Sequence, residues 1–153
     1  MPTRAEPIAN QVADALVREL EKISASLGGT RWLTTPKTVR RGLTINALQA
    51  ERPAIFVQVD RWSDTPLTSP NHEVRLSLLV HCLADGDEMA DVVLNRLASD
   101  AVRALTDNET LSGLVTILGP LEYAVNTEAT ERSGLGIATI TVPVLYQWAH
   151  GAP

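Results

Sequence analysis

From Glu73 to Leu83 the chain alternates in polarity with a period of two, which is the pattern of a β-strand with one face against a core. Val74, Leu76, Leu78, Val80 and Cys82 share the core face. Arg75, Ser77, Leu79, His81 and Leu83 share the other, which starts polar and turns apolar, so its second half calls for cover from another element or a partner. The period then changes. In Ala84 to Glu88, Asp85 is placed to cap a helix and Glu88 to complete a capping box, with three acids at the positive end of the helix dipole. Met89, Val92, Val93, Leu97, Ala101 and Leu105 follow at helical spacing, and Asp91, Arg96, Asp100 and Arg103 fall largely on the opposite side.

The same reading applied to the rest of the chain predicts an α+β domain. Pro7 opens a first helix whose stripe is Ile8, Val12, Leu16, Leu20 and Ile23, with Asp14 and Arg18 paired outside and Gly28-Gly29 as its stop. Residues 30–53 are expected to form an extended, hairpin-like arm with a short strand at Thr38 to Arg41, and Trp32 closing the core. Ala54 to Asp60 is a strand by its β-branched content. Arg61 to His72 is rich in turn formers and is expected to be a long loop. Leu114 to Val125 is a strand bent at Gly119-Pro120. The last strand, Gly136 to Trp148, carries Ala138, Ile140, Val142, Val144, Tyr146 and Trp148 on one face, and Pro143 points to an edge or a bulge. The order α-β-β-β-α-β-β implies a largely antiparallel or mixed sheet of four to five strands with two helices on one face, in a single domain over residues 1–153.

Composition narrows the function classes. A net charge of -5 argues against general affinity for nucleic acid or membrane surfaces. The single cysteine excludes an internal disulfide and any multi-cysteine zinc site. No apolar run approaches the ~20 residues needed to span a bilayer, and the first residues lack an apolar signal region, so a soluble compartment is expected.

The candidate chemistry is sparse. Asp85, Asp87 and Glu88 lack the further oxygens and distal glutamate of a calcium loop and read better as helix capping. His81 and Cys82, adjacent on a strand, point to opposite faces and do not share a zinc, with His72 and His150 as the remaining imidazoles. Ser69 and Ser77 lack a nucleophile elbow. Ser133-Gly134-Leu135-Gly136 precedes a strand rather than a helix, which suits a hairpin turn and not a phosphate loop. No cofactor, metal or catalytic residue is therefore expected. The cations Lys37, Arg40, Arg41, Arg52 and Arg61 flank the first strands as solvated strand ends or as one converging patch. Trp62 and Trp148 are amphipathic side chains of the kind interfaces favour. The candidate interface comprises Arg40, Arg41, Arg52, Arg61, Trp62, Leu79, His81 and Trp148.

In the order of its elements the chain resembles the tail terminator (tail completion) proteins of long-tailed bacteriophages. The stretches that carry the likeness are the N-terminal amphipathic helix, Arg52-Pro53-Ala54-Ile55-Phe56-Val57, His72 to Cys82 followed by Asp87 to Leu105, and Thr139 to Trp148 with its Val-x-Tyr-x-Trp ending. The resemblance implies a non-enzymatic virion protein, assembled in the host cytoplasm. It would form a homohexameric ring on the tail tube, stop tube polymerisation and meet the head-side connector, while DNA passes through the lumen unbound. It carries over no residue-level site. Another head-to-tail connector or neck protein is the alternative, and a small α+β ligand-binding domain or enzyme is a third.

Overall fold

The computed structural model describes residues 6–25, 31–42, 49–68, 71–126 and 134–149. The elements are α1 (Ile8–Leu20), β1 (Thr38–Arg41), β2 (Ala54–Pro66), β3 (Asn71–Asp85), α2 (Ala90–Thr106), β4 (Ile117–Leu118), β5 (Glu122–Val125) and β6 (Leu135–Ala149). They form one mixed sheet in the order β1-β2-β3-β6-β4, with β5 also paired to β6. The pair β1-β2 is parallel and all others are antiparallel. Both helices lie on the same face, α1 over β1 and β2 and α2 over β3 and β6. This is the α+β fold that the alternating periods imply.

The core is the layer between helices and sheet. Val12, Leu16, Leu20 and Ile23 from the first helix and its exit meet Ile55 and Val57, while Leu94, Leu97, Ala101 and Leu105 of α2 meet Val80, Cys82, Ala138 and Ile140. All five residues assigned to the core face of β3 are buried. At roughly 1.5–3 kcal/mol for each fully buried aliphatic side chain, this layer is the main source of stability. Trp32 is half-buried against the same core, with Arg31 stacked over its ring at 4.9 Å.

Several local expectations are corrected. The first helix ends at Leu20, where the Glu21 N–H bonds to Val17. The chain then turns so that the Ala25 N–H donates to the Thr34 carbonyl; Gly28-Gly29 lie outside the described residues. Asp14 pairs with Arg41 of β1, at 3.3 Å, rather than with Arg18. Thr38–Arg41 is the short strand expected there, an edge strand running parallel to β2, so the two form no two-strand hairpin; residues 43–48 of the expected arm lie outside the described residues. Arg61 to His72 is not a long loop, because β2 continues to Pro66 and pairs with β3 as far as Pro66↔His72. A register shift between Val59 and Arg61 inserts the extra residue Asp60 and hides the alternation that would have marked the strand.

Pro143 sits inside the sheet with a partner on each side. The Pro143 carbonyl accepts from the Gly119 N–H at 2.8 Å, so its nitrogen, which lacks a hydrogen, faces the same side, where β4 hands over to β5. The expected bend at Gly119-Pro120 is therefore what accommodates the proline. Asp85 does not cap α2 and ends β3 in an ion pair with Arg52. Asp87 accepts the Met89 N–H at 2.8 Å and organises the turn instead. Gly136 lies inside β6, where a Cβ would come within 3.1 Å of Ala90 and Leu94, so it allows α2 to cross the sheet closely.

Candidate functional site

The helices cover one face of the sheet. The other face carries Arg40, Arg61, Leu79 and His81 of the predicted interface, and the register divides it into three zones along β3.

At the start of β3 the face is polar and open. The register after the bulge sets Arg61 opposite Ser77 and Ser63 opposite Arg75. The Arg61 and Arg75 side chains are 85% and 77% exposed, each near an acid of its own strand, Asp60 at 4.0 Å and Glu73 at 3.7 Å. With Ile117, Pro143 and Leu145 they line a groove of about 600 Å³. Ile117 is left 47% exposed there, while Trp62, 61% exposed, pairs with Leu76 and so belongs to the helix-side face.

The middle zone is closed by side-chain hydrogen bonds across three strands. His81 Nε2 lies 3.0 Å from Gln58 Oε1 and Nδ1 lies 3.0 Å from the Thr139 hydroxyl. This fits the neutral ring, donating to the amide oxygen and accepting from the hydroxyl. Burial pushes the His81 pKa down, which favours the same neutral form. The third zone is apolar, with Ala54, Phe56 and Leu83 buried against Ala50, Leu135 and Ile137. The expected cover over the second half of this face thus comes from within the chain.

At the opening of α1 lies a second concavity, of about 400 Å³, lined by Ile8, Asn10, Arg41, Trp62, Tyr146 and Trp148 among others. Its polar groups are committed to each other. Arg41 donates to Asn10 and Asp14, and His72 Nδ1 meets Asp64 at 2.9 Å while its ring stacks on Trp148 at 4.3 Å. The stack ties the β2-β3 hairpin to the end of β6.

The predicted interface residues therefore separate. Arg61 lies at the groove, its strand neighbour Trp62 belongs to the helix-side face near Tyr146 and Trp148, and Leu79 lies partly buried between the groove and the closed zone. His81 is 8% exposed and engaged inside the chain, so it is withdrawn from the candidate surface. Trp148 is half-buried on His72. The cations do not converge: Arg41 turns to the helix layer, Arg40 belongs to the opposite face beside Phe56, and Arg52 is at the far end of the sheet with Asp85. Sequence reading missed Arg75 and Ile117 as groove residues, because their meeting depends on pairing between distant strands. It also placed Asp100 on the solvent side, whereas this carboxylate is 1% exposed. Its position three residues after Leu97 and four before Ala104 is the signal that placed it on the buried face.

Chemistry is limited by these environments. Burial pushes the Cys82 thiol up to about 12, so it remains protonated among core aliphatics and is neither nucleophile nor ligand. Among the described residues no three histidine, cysteine or acidic side chains gather as a metal site, and no helix is long and apolar enough to cross a membrane. His150 lies outside the described residues. No protein-family model and no curated protein matches this chain.

Proposed function

We propose that this chain is a structural virion protein, without enzymatic activity, that forms a ring, in all a hexamer, on the end of a phage tail tube, stops tube growth and joins the tail to the head-side connector. The observation that carries this reading is the helix-free sheet face with its open groove, where Ile117 and Leu145 are displayed beside two solvated arginines. A monomer gains nothing from exposing such side chains side by side, whereas an interface desolvates them. The resemblance in element order to tail terminators supplies the class of assembly.

On this reading the mechanism is geometric. One surface of each subunit meets a different surface of the next, and a fixed rotation at that contact closes the ring and leaves no end for further addition. The tail tube protein and the connector protein bind its two rims, and the acidic net charge lets DNA pass the lumen without adhering. A neck or connector protein elsewhere in the virion would use the same ring logic. Electron microscopy of the protein mixed with purified tail tubes separates the two: density at the upper tube end supports the terminator, and binding to the portal side alone replaces it with the connector. Absence of binding to either refutes both.

A further inference from the structure

We propose that the Arg61–Arg75 groove is the docking site for the acidic turn at the start of α2 in a second copy of this chain, so that subunits associate head to tail. The proposal rests on the ring reading for its premise of self-assembly, and adds which two surfaces meet.

The two features stand at opposite ends of one strand. Arg75 lies near the beginning of β3 and Asp85 at its end, which at about 3.3 Å per residue puts them about 33 Å apart. Beyond Asp85, which Arg52 engages, the turn into α2 displays Asp87, Glu88 and Asp91, all exposed, around Met89, which is 52% exposed. The groove displays the complement: two arginines with loosely held acidic neighbours, beside the exposed Ile117 and the partly buried Leu145. Charge meets opposite charge, and a flexible thioether meets an aliphatic floor. The acids beside the arginines, Asp60 and Glu73, sit at 4.0 and 3.7 Å, so the exposed guanidiniums can exchange them for a neighbour's acids, and in a chain of net charge -5 the most available acidic partner is the same chain.

The separation of the surfaces also sets the symmetry. Because the groove and the turn occupy opposite ends of the subunit, each copy can receive one neighbour and dock into another. Such a heterologous contact propagates until it closes, which is the requirement for a ring. Nucleic acid is disfavoured as the groove's occupant, since two arginines offer few phosphate contacts against the overall negative charge.

The test is a charge exchange read by sedimentation velocity over a range of protein concentrations. One variant carries Arg61→Glu with Arg75→Glu, and the other Glu88→Arg with Asp91→Arg, which spares the Asp87 hydrogen bond to Met89. All four residues are exposed, so circular dichroism should match the parent; melting should match it for the first variant and fall by a few degrees at most for the second, whose arginines face the positive end of α2. The wild-type chain is expected to self-associate, each variant alone to associate at least ~10-fold more weakly, and an equimolar mixture of the two to recover association. Association of the wild type should also weaken in about 1 M salt, where the screening length falls to ~3 Å. Undiminished association of either variant, or a mixture that stays dissociated, overturns this pairing of surfaces while leaving a ring possible through others. A wild-type chain that stays monomeric overturns it as well, and the ring reading itself then falls only if the protein also fails to cap tail tubes.

Discussion

Asp100→Ala is the sharpest test of how this fold is held together. Asp100 projects from α2 into the layer beneath the segment that follows α1, at 1% exposure. One oxygen accepts from the Leu33 N–H at 2.9 Å, the Thr34 N–H at 2.7 Å and the Thr34 hydroxyl at 2.6 Å, and the other accepts from Leu33 at 3.1 Å. The Thr34 carbonyl in turn accepts from Ala25, so the carboxylate fastens the chain leaving α1 to the chain entering β1. Alanine leaves three donors without a partner. Each costs about 1–3 kcal/mol if it stays dry, and Leu33 is exposed enough for water to reach part of the site, so a loss near the lower end, ~3–4 kcal/mol in total, is expected. For a chain of this size that corresponds to a fall in Tm of about 6–16 °C. Urea unfolding followed by circular dichroism should show a lower midpoint with an unchanged m-value. Asp100→Asn should recover much of the loss, because its amide oxygen can take the place of the carboxylate oxygen that accepts from all three donors, leaving only the longer Leu33 contact to the other oxygen unreplaced. An Asp100→Ala protein melting within about 2 °C of the parent would refute the reasoning, since exposed acids typically shift stability by no more than ~0.5 kcal/mol.

Leu78→Asp buries an unpaired charge at the centre of the core face of β3, where Leu78 is fully buried; insoluble protein is expected, and normal cooperative melting would show the faces reversed. Gly86→Ala would bring a Cβ to 1.9 Å from the Gly134 carbonyl oxygen, so a loss of about 1–3 kcal/mol is expected in denaturant titration. His81 has a folded pKa below its unfolded value of about 6.5. Between those two values the unfolded chain binds the extra proton, so the stability from neutral His81 is complete above pH ~6.5 and is lost as pH falls through the folded pKa. The His81→Gln variant should therefore lose less stability than the parent between about pH 7 and pH 5; parallel pH curves would show that His81 does not report this transition.

Legibility in the sequence followed how local the cause was. The faces of β3 and β6, the stripe of the first helix and the body of α2 depend on repeats of two and 3.6 residues, and those repeats predict their burial. The second half of β2 was read as loop because the extra residue Asp60 breaks the period, and because its exposed face is polar. The acids after β3 suggested a capping box, yet Asp85 was taken by Arg52, a residue far away in sequence.

The two helices, the strands β3 and β6 with their core side chains, and the α+β class were thus determined by the sequence alone, since each arises from backbone periodicity within one segment. Tertiary structure decided whatever depends on register between segments. It made β1 parallel to β2, placed Pro143 opposite the break between β4 and β5, buried Asp100 under the Thr34 segment, and closed His81 between Gln58 and Thr139. It also gathered Arg61 and Arg75 with Ile117 at one end of the sheet, and left Glu88 and Asp91 at the start of α2, beyond the strand's other end. The reason is physical: a one-residue shift of a strand exchanges its two faces, so surface chemistry depends on pairings between residues distant along the chain, which no local pattern encodes.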